Sequence, residues 1–147
     1  MYKVEFVCIA NYCRSPVAEK IFNDISSAEI SASSSGVFPY EEQSMDPRSK
    51  EYLQKLEISD VFHIPSKFSE KKFIEADLII FFELNIFLDL KKKYKDIHKR
   101  SRFYNFHNQE IIIKDPFTLK NKDEYFREMD KLRHITIDWA DRLKGNL

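Results

Sequence analysis

Two cysteines are too few for a disulfide framework, and 24 basic residues against 24 acidic ones leave no excess of either charge. The first scarcity points away from a stapled secreted module, so a thiol here is either reactive or a small buried hydrophobe. The second removes any global field favouring nucleic acid or an anionic membrane, and anion specificity has to be local. Long apolar runs are missing too. The opening MYKVEFVCIA is too short to span a bilayer and has neither a basic leader nor a small-residue cleavage site; the expected location is the cytoplasm, without membrane insertion. His63, His98, His107 and His134 are scattered without ligand spacing, so neither metal nor cofactor is expected. No internal repeat or low-complexity linker interrupts the chain, and the charge-dense stretch Lys91 to Arg100 reads as a solvated helix end.

What is present suits one ordinary domain. With 43% apolar and 14% aromatic residues, 147 residues can bury a core without metals or disulfides, so 1–147 is expected to form a single unit. Tyr2 to Cys8 is rich in β-formers, and Ala18, Ile21, Phe22 and Ile25 then follow helical spacing, giving strand, loop, helix. Ser15 is the expected N-cap, with Pro16 at the first helical position. Ile30 to Ser35 reads as a second strand, Gly36 to Met45 as loop, and Asp46-Pro47 as the opening of a helix with Tyr52, Leu53 and Leu56 on its apolar face. Ala76 to Phe82 is apolar except for Asp77, as in a strand buried on both faces. Leu84, Phe87, Leu88 and Tyr94 suggest a helix, the stretch near Phe103 is ambiguous, and Ile111 to Ile113 precede the break at Asp115-Pro116. Tyr125, Met129, Leu132, Trp139 and Leu143 mark a long last helix. Strands alternating with helices imply an α/β fold with a parallel sheet and binding loops at the carboxyl ends of its strands.

Cys8 lies at such an end. The segment Cys8-Ile9-Ala10-Asn11-Tyr12-Cys13-Arg14-Ser15-Pro16 joins the first strand to the first helix, so its amides can converge beside a helix N-terminus. A nest of amides together with the helix dipole favours a phosphate. Thiols in such surroundings, near an arginine, ionise more readily than free cysteine, which makes Cys8 a candidate nucleophile. Arg14 can fold back and hold two phosphoryl oxygens through its planar fork. Ser15 could donate its hydroxyl to the thiolate, and Asn11 tolerates the left-handed backbone region that a tight phosphate loop needs. The bland alternative makes Cys8 a buried hydrophobe at a strand end and Arg14 a surface helix residue.

The full string resembles the signature of the low-molecular-weight protein tyrosine phosphatases, in which cysteine, two residues, asparagine, one residue, cysteine, arginine, serine and proline follow the first strand. The resemblance implies a three-layer, Rossmann-like α/β sandwich with a four-stranded parallel sheet flanked by helices. It implies that Cys8 attacks phosphorus, Arg14 binds the phosphoryl group, Asn11 supports the loop, Ser15 stabilises the leaving thiolate, and Ile9 to Ser15 surround the phosphate. Ala10 stands where the family usually has glycine, a departure that matters if this position needs positive φ. The family's general acid sits in an Asp-Pro at the distance of Asp115-Pro116 from the C-terminus, and a carboxylic acid is the usual proton donor to a departing alkoxide or phenoxide. An aspartate before proline is otherwise a common turn.

Beyond these residues the pattern thins. Phe117 and Thr118 replace the two tyrosines that commonly follow the family's Asp-Pro, and Phe117 could still stack on an aromatic substrate. The family's Ser-Ala-Gly-Thr motif reads Ser33-Ser34-Ser35-Gly36, with Asp46-Pro47-Arg48 downstream. Phe38 and Tyr40 are candidate walls for a planar substrate or plain cover for the core; with Ile9 and Phe117 they make the candidate specificity set. Glu41 and Glu42 near this rim would favour basic over acidic flanking sequence. Glu83 stands for the family's aspartate after the third strand, and Lys67 lies near a place where relatives often have arginine. The resemblance also implies a redox role for Cys13, through a disulfide to Cys8; simple inward packing of Cys13 is the alternative.

The expected activity is hydrolysis of phosphotyrosine in proteins or peptides through a phosphocysteine, releasing inorganic phosphate. Two competitors stay in view. An arsenate reductase would have to use external thiols, since no cysteine follows Cys13. A noncatalytic phosphate-binding module would fit the altered second motif but not the intact Cys8, Arg14 and Asp115. A thiol–disulfide oxidoreductase fits less well, because Cys8 and Cys13 lack the usual two-residue spacing and Arg14 would go unexplained.

Overall fold

Residues 1–145 are described by a computed structural model. Four parallel strands, β1 (Tyr2–Cys8), β2 (Ile30–Gly36), β3 (Leu78–Phe81) and β4 (Ser101–Phe103), form one sheet in the order β2-β1-β3-β4. The register aligns Cys8 with Gly36 and Val7 with Phe81, and Phe81 with Phe103, so the carboxyl ends share one edge. Five helices complete the fold: α1 (Arg14–Ile25), α2 (Pro47–Lys55), α3 (Glu70–Glu75), α4 (Leu84–Lys93) and α5 (Lys122–Gly145). No described helix is long and apolar enough to cross a membrane.

The pleat of the central strand divides its side chains between two cores. Val4, Phe6 and Cys8 join Val17, Phe22, Met129, Leu132 and Trp139 of α1 and α5, while Val7 joins Ile79, Phe81, Phe68 and Ile86 on the other face. Each fully buried aliphatic or aromatic side chain of this kind contributes about 1.5–3 kcal/mol. Glu5 is the exception on β1: it is 2% exposed, and it accepts hydrogen bonds from Lys72 Nζ at 3.3 Å and from the hydroxyls of Ser33 and Ser35. A buried carboxylate is tolerable only with such partners.

The structure corrects several local expectations. Helix α1 begins at Arg14, its cap position is Cys13 and no side chain caps it; Ser15 lies inside the helix and Pro16 is its third residue. The Ser15 hydroxyl is engaged elsewhere, at the thiol of Cys8 and the amide of Asn11. Strand β3 is shorter than its apolar run because Ala76 ends α3, a six-residue helix capped by Ser69 and too short to show periodicity. Of the face expected for α4 and its end, Tyr94 is buried and Phe87 packs against Phe81 and Phe103, whereas Leu84 and Leu88 are 59% and 48% exposed and the helix's own buried residue is Ile86. The ambiguous stretch near Phe103 is β4. Asp46 opens α2 as expected, accepting the Arg48 amide, and Tyr52 and Leu53 are buried. In α5, Tyr125, Met129, Leu132 and Trp139 are buried, with a Trp139 indole bond to the Tyr104 carbonyl at 2.8 Å.

Candidate active site

Asn11 organises the loop between β1 and α1. It has φ 51°, and Ala10 is not among the residues with positive φ, so alanine there is unstrained. The Asn11 side chain donates to Ser15 Oγ and Ser34 Oγ, both at 2.9 Å, and accepts the Ser66 amide at 2.9 Å. His63 Nε2 lies 2.8 Å from the Asn11 carbonyl oxygen. Burial lowers the His63 pKa below its ordinary value, so the neutral ring braces the loop as an N–H donor. The left-handed residue is therefore held by four side-chain or backbone partners from three segments of the chain: α1, β2 and the loop carrying His63 and Ser66.

Cys8 Sγ is 2.9 Å from Ser15 Oγ. That oxygen already accepts from Asn11, so the hydroxyl hydrogen is free to point at sulfur. Arg14 is 4% exposed and is paired with Glu83 through Nη2. Burial alone would lower its pKa, but Cys8, Glu83 and Asp115 together raise it, and the guanidinium stays charged. One bond to Glu83 leaves most of its donors for another ligand.

Gly36 fits the loop from below. A Cβ there would lie 2.6 Å from the Ile9 oxygen and 2.8 Å from the Asn11 nitrogen, so no other residue allows this approach of β2 to the loop. The following segment runs along the same backbone, with Phe38 N donating to Ile9 O and Tyr40 N to Ala10 O, both at 2.9 Å. Tyr40 packs on Tyr12 with ring centroids 4.3 Å apart, and Phe117 meets Tyr40 edge-on at 5.5 Å. Phe38 has no such ring partner among the described residues, is 74% exposed and does not line the cavity.

A cavity of about 200 Å³ brings Cys8, Arg14 and Asp115 together, with Ile9, Ala10, Tyr12 and Cys13 on its loop side and Tyr40 and Phe117 as aromatic walls. Asp115 is exposed and its Oδ1 accepts the Phe117 amide at 3.1 Å, capping the short turn Pro116–Thr118. Both cysteines are free. Cys13 is 5% exposed and its Sγ lies 3.7 Å from Asp46 Oδ2; burial pushes this thiol far up, so it is a poor thiolate. Among the described residues no group of three or more His, Cys, Asp and Glu side chains could hold a metal ion.

Several of these residues are invisible to local sequence reading. Ser34 and Ser66 reach Asn11 across 23 and 55 positions, and His63 across 52, so no spacing announces them. The glycine of Ser33-Ser34-Ser35-Gly36 was the available signal for a close backbone approach.

A thiol beside a buried, charged arginine at the mouth of a parallel sheet defines a cysteine-dependent phosphatase scaffold. The profile of the family described as "Low molecular weight phosphotyrosine protein phosphatase" matches residues 3–147, and the chain belongs to that family. It is 35% identical over 153 residues to a protein-arginine-phosphatase of Bacillus subtilis, covering 95% of each chain. A low molecular weight protein tyrosine phosphatase of Bacillus subtilis, solved in solution, superposes with TM-score 0.84 at 25% identity, covering 97% of each chain. The YwlE arginine phosphatase of Geobacillus stearothermophilus shares the fold at TM-score 0.89 and 20% identity, covering 99% of this chain and 95% of its own.

Proposed function

We propose that this protein hydrolyses phosphotyrosine in proteins or peptides through a phosphocysteine at Cys8. The observation that carries the reading is the one cavity shared by Cys8, Arg14 and Asp115 and lined by the rings of Tyr40 and Phe117. The Cys8 thiolate attacks phosphorus and forms the S–P bond while the bond to the phenolic oxygen breaks. Asp115 gives its carboxyl proton to that oxygen, and Arg14 and the amides of residues 9–15 hold the phosphoryl oxygens. Water then attacks the phosphocysteine, the Asp115 carboxylate takes its proton, and inorganic phosphate leaves as the S–P bond breaks, with the Ser15 hydroxyl favouring the departing thiolate. A nucleophilic thiol needs a reducing compartment, which supports a cytoplasmic location. Exposed Glu41 and Glu42 support basic residues around the phosphotyrosine. Cys13 serves as packing in the reduced protein, and a disulfide to Cys8 would require it to leave Asp46.

A second reading, hydrolysis of phosphoarginine, is supported by the relative in Bacillus subtilis that is 35% identical. The aromatic walls support the tyrosine reading, because a flat ring gains apolar contact against them. The test is turnover of matched phosphotyrosine and phosphoarginine peptides without metal, with Cys8→Ser as control and thiol-dependent arsenate reduction alongside. Higher kcat/KM on phosphotyrosine, abolished by Cys8→Ser, is the expected result. Preference for phosphoarginine overturns the substrate, arsenate turnover alone makes the protein a reductase, and phosphate binding without any turnover makes it a binding module.

A further inference from the structure

The segment that carries Asp115 belongs to no strand or long helix, yet it has to present a carboxyl group to the cavity. Its short turn closes on itself, through Phe117 N to Asp115 Oδ1 at 3.1 Å and Leu119 N to Pro116 O at 3.0 Å. This turn meets the phosphate loop through ring contacts of Phe117 with Tyr12 of that loop and with Tyr40, and its backbone carbonyls are held by one side chain from a third element, Arg48 at the start of α2. Its Nη1 donates to the Leu119 carbonyl and its Nη2 reaches the Phe117 carbonyl at 3.4 Å. The same guanidinium grips Asp46, through Nε to Oδ1 at 3.0 Å and Nη2 to Oδ2 at 2.8 Å, and lies 4.1 Å over the ring of buried Tyr125.

Asp46 is in turn part of the phosphate loop's support. It is 5% exposed, its amide donates to the Tyr12 carbonyl at 3.0 Å, and its carboxylate faces the Cys13 thiol. A continuous chain of contacts therefore runs from Tyr12 and Cys13 through Asp46 and Arg48 to the two carbonyls that follow Asp115. The rigid fork of arginine serves both ends at once, which the single ammonium of lysine cannot do.

We propose that Arg48 is a positioning residue for the general acid, setting the distance between the Asp115 carboxyl and the leaving-group oxygen while touching neither. The proposal rests on the reading of Asp115 as the acid. Its signature is selectivity for the leaving group, since proton donation matters most for a poor one. Phenyl phosphate needs the acid; 2,4-dinitrophenyl phosphate, whose phenolate leaves readily, hardly does.

The experiment measures kcat/KM, which reports the steps through phosphocysteine formation and not its hydrolysis, on both esters for the wild type, Asp115→Asn, Arg48→Met, Arg48→Gln and Arg48→Lys, together with urea midpoints and phosphate inhibition constants. Removal of a general acid typically removes ~100-fold or more of rate, so Asp115→Asn should lose about that on phenyl phosphate and far less on the dinitrophenyl ester. Arg48→Met and Arg48→Gln should show the same selectivity at roughly tenfold loss, with phosphate inhibition constants unchanged and no rescue in Arg48→Lys. Equal losses on both esters, or none, in whichever Arg48 variants fold would overturn the positioning role while leaving Asp115 as the acid. Absence of selectivity in Asp115→Asn itself overturns the acid assignment and the role of Arg48 with it.

Discussion

The two sides of the cavity are held in different ways. The loop from Cys8 to Ser15 is buried, its left-handed residue is bound by β2, α1, His63 and Ser66, and a glycine admits the strand behind it. The segment from Ile111 to Asn121 has no strand, exposes Asp115 and Phe117, and is tied by single side chains, Asn105 and Tyr104 at its start, Glu128 and Lys131 of the following helix, and Arg48 beyond Asp115. A phosphoryl group has one shape in every substrate, so its cradle can be set in advance. Leaving groups vary, and under the proposed mechanism Asp115 gives a proton in one step and takes one in the next, so its support can be lighter.

The largest break in this comparison comes from the cradle. Arg14→Lys keeps the charge but loses the fork, and kcat should fall ~100- to 1,000-fold, the usual loss when a transition-state donor is removed. Steady-state turnover of p-nitrophenyl phosphate checks it, and a loss below tenfold would mean that Arg14 chiefly serves its pair with Glu83. Next is Gly36→Ala, whose methyl would meet the Ile9 oxygen at 2.6 Å. Overpacking of this kind costs about 1–3 kcal/mol, so the urea midpoint should drop and activity should fall because the loop must shift. On the acid side, Phe117→Ala should raise KM for aryl phosphates a few-fold, about 0.5–1.5 kcal/mol of aromatic contact, and leave the urea midpoint unchanged.

The smallest effect sharpens the comparison through pH. Burial lowers the His63 pKa in the folded protein, so the unfolded chain binds its proton first as pH falls. The stability His63 contributes is complete above its ordinary pKa of ~6.5 and declines as pH drops below that value. Urea midpoints between pH 7.5 and 5.5 should fall less steeply in His63→Gln than in the wild type. Exposed His107, whose pKa partial desolvation also lowers, is present in both proteins and cancels in the difference.

The sharing of one loop by Cys8 and Arg14, and the order of the longer strands and helices, were legible because they are local: five intervening residues separate the pair, and each core face repeats at short period. Ser15 shows where local reading fails. A serine before proline at a helix start reads as a cap, yet its hydroxyl is taken by Cys8 and Asn11, partners that only the closed loop supplies. Phe38 and Tyr40 look equivalent in the sequence, and only the folded position of Tyr12 separates them. The links from Asn11 to Ser34, His63 and Ser66, and from Arg48 to Leu119, join distant stretches that only the tertiary fold brings together.

The glycine behind the loop bears on how mutational data for this protein should be read. The chain has two glycines, and one of them stands where even a methyl group would strike the backbone beneath the substrate. A saturation screen for phosphatase activity would therefore rank position 36 beside Cys8, the proposed nucleophile, although Gly36 has no side chain to take part in the chemistry. Intolerance to replacement marks geometry as readily as chemistry, and separating the two takes a stability readout beside the activity.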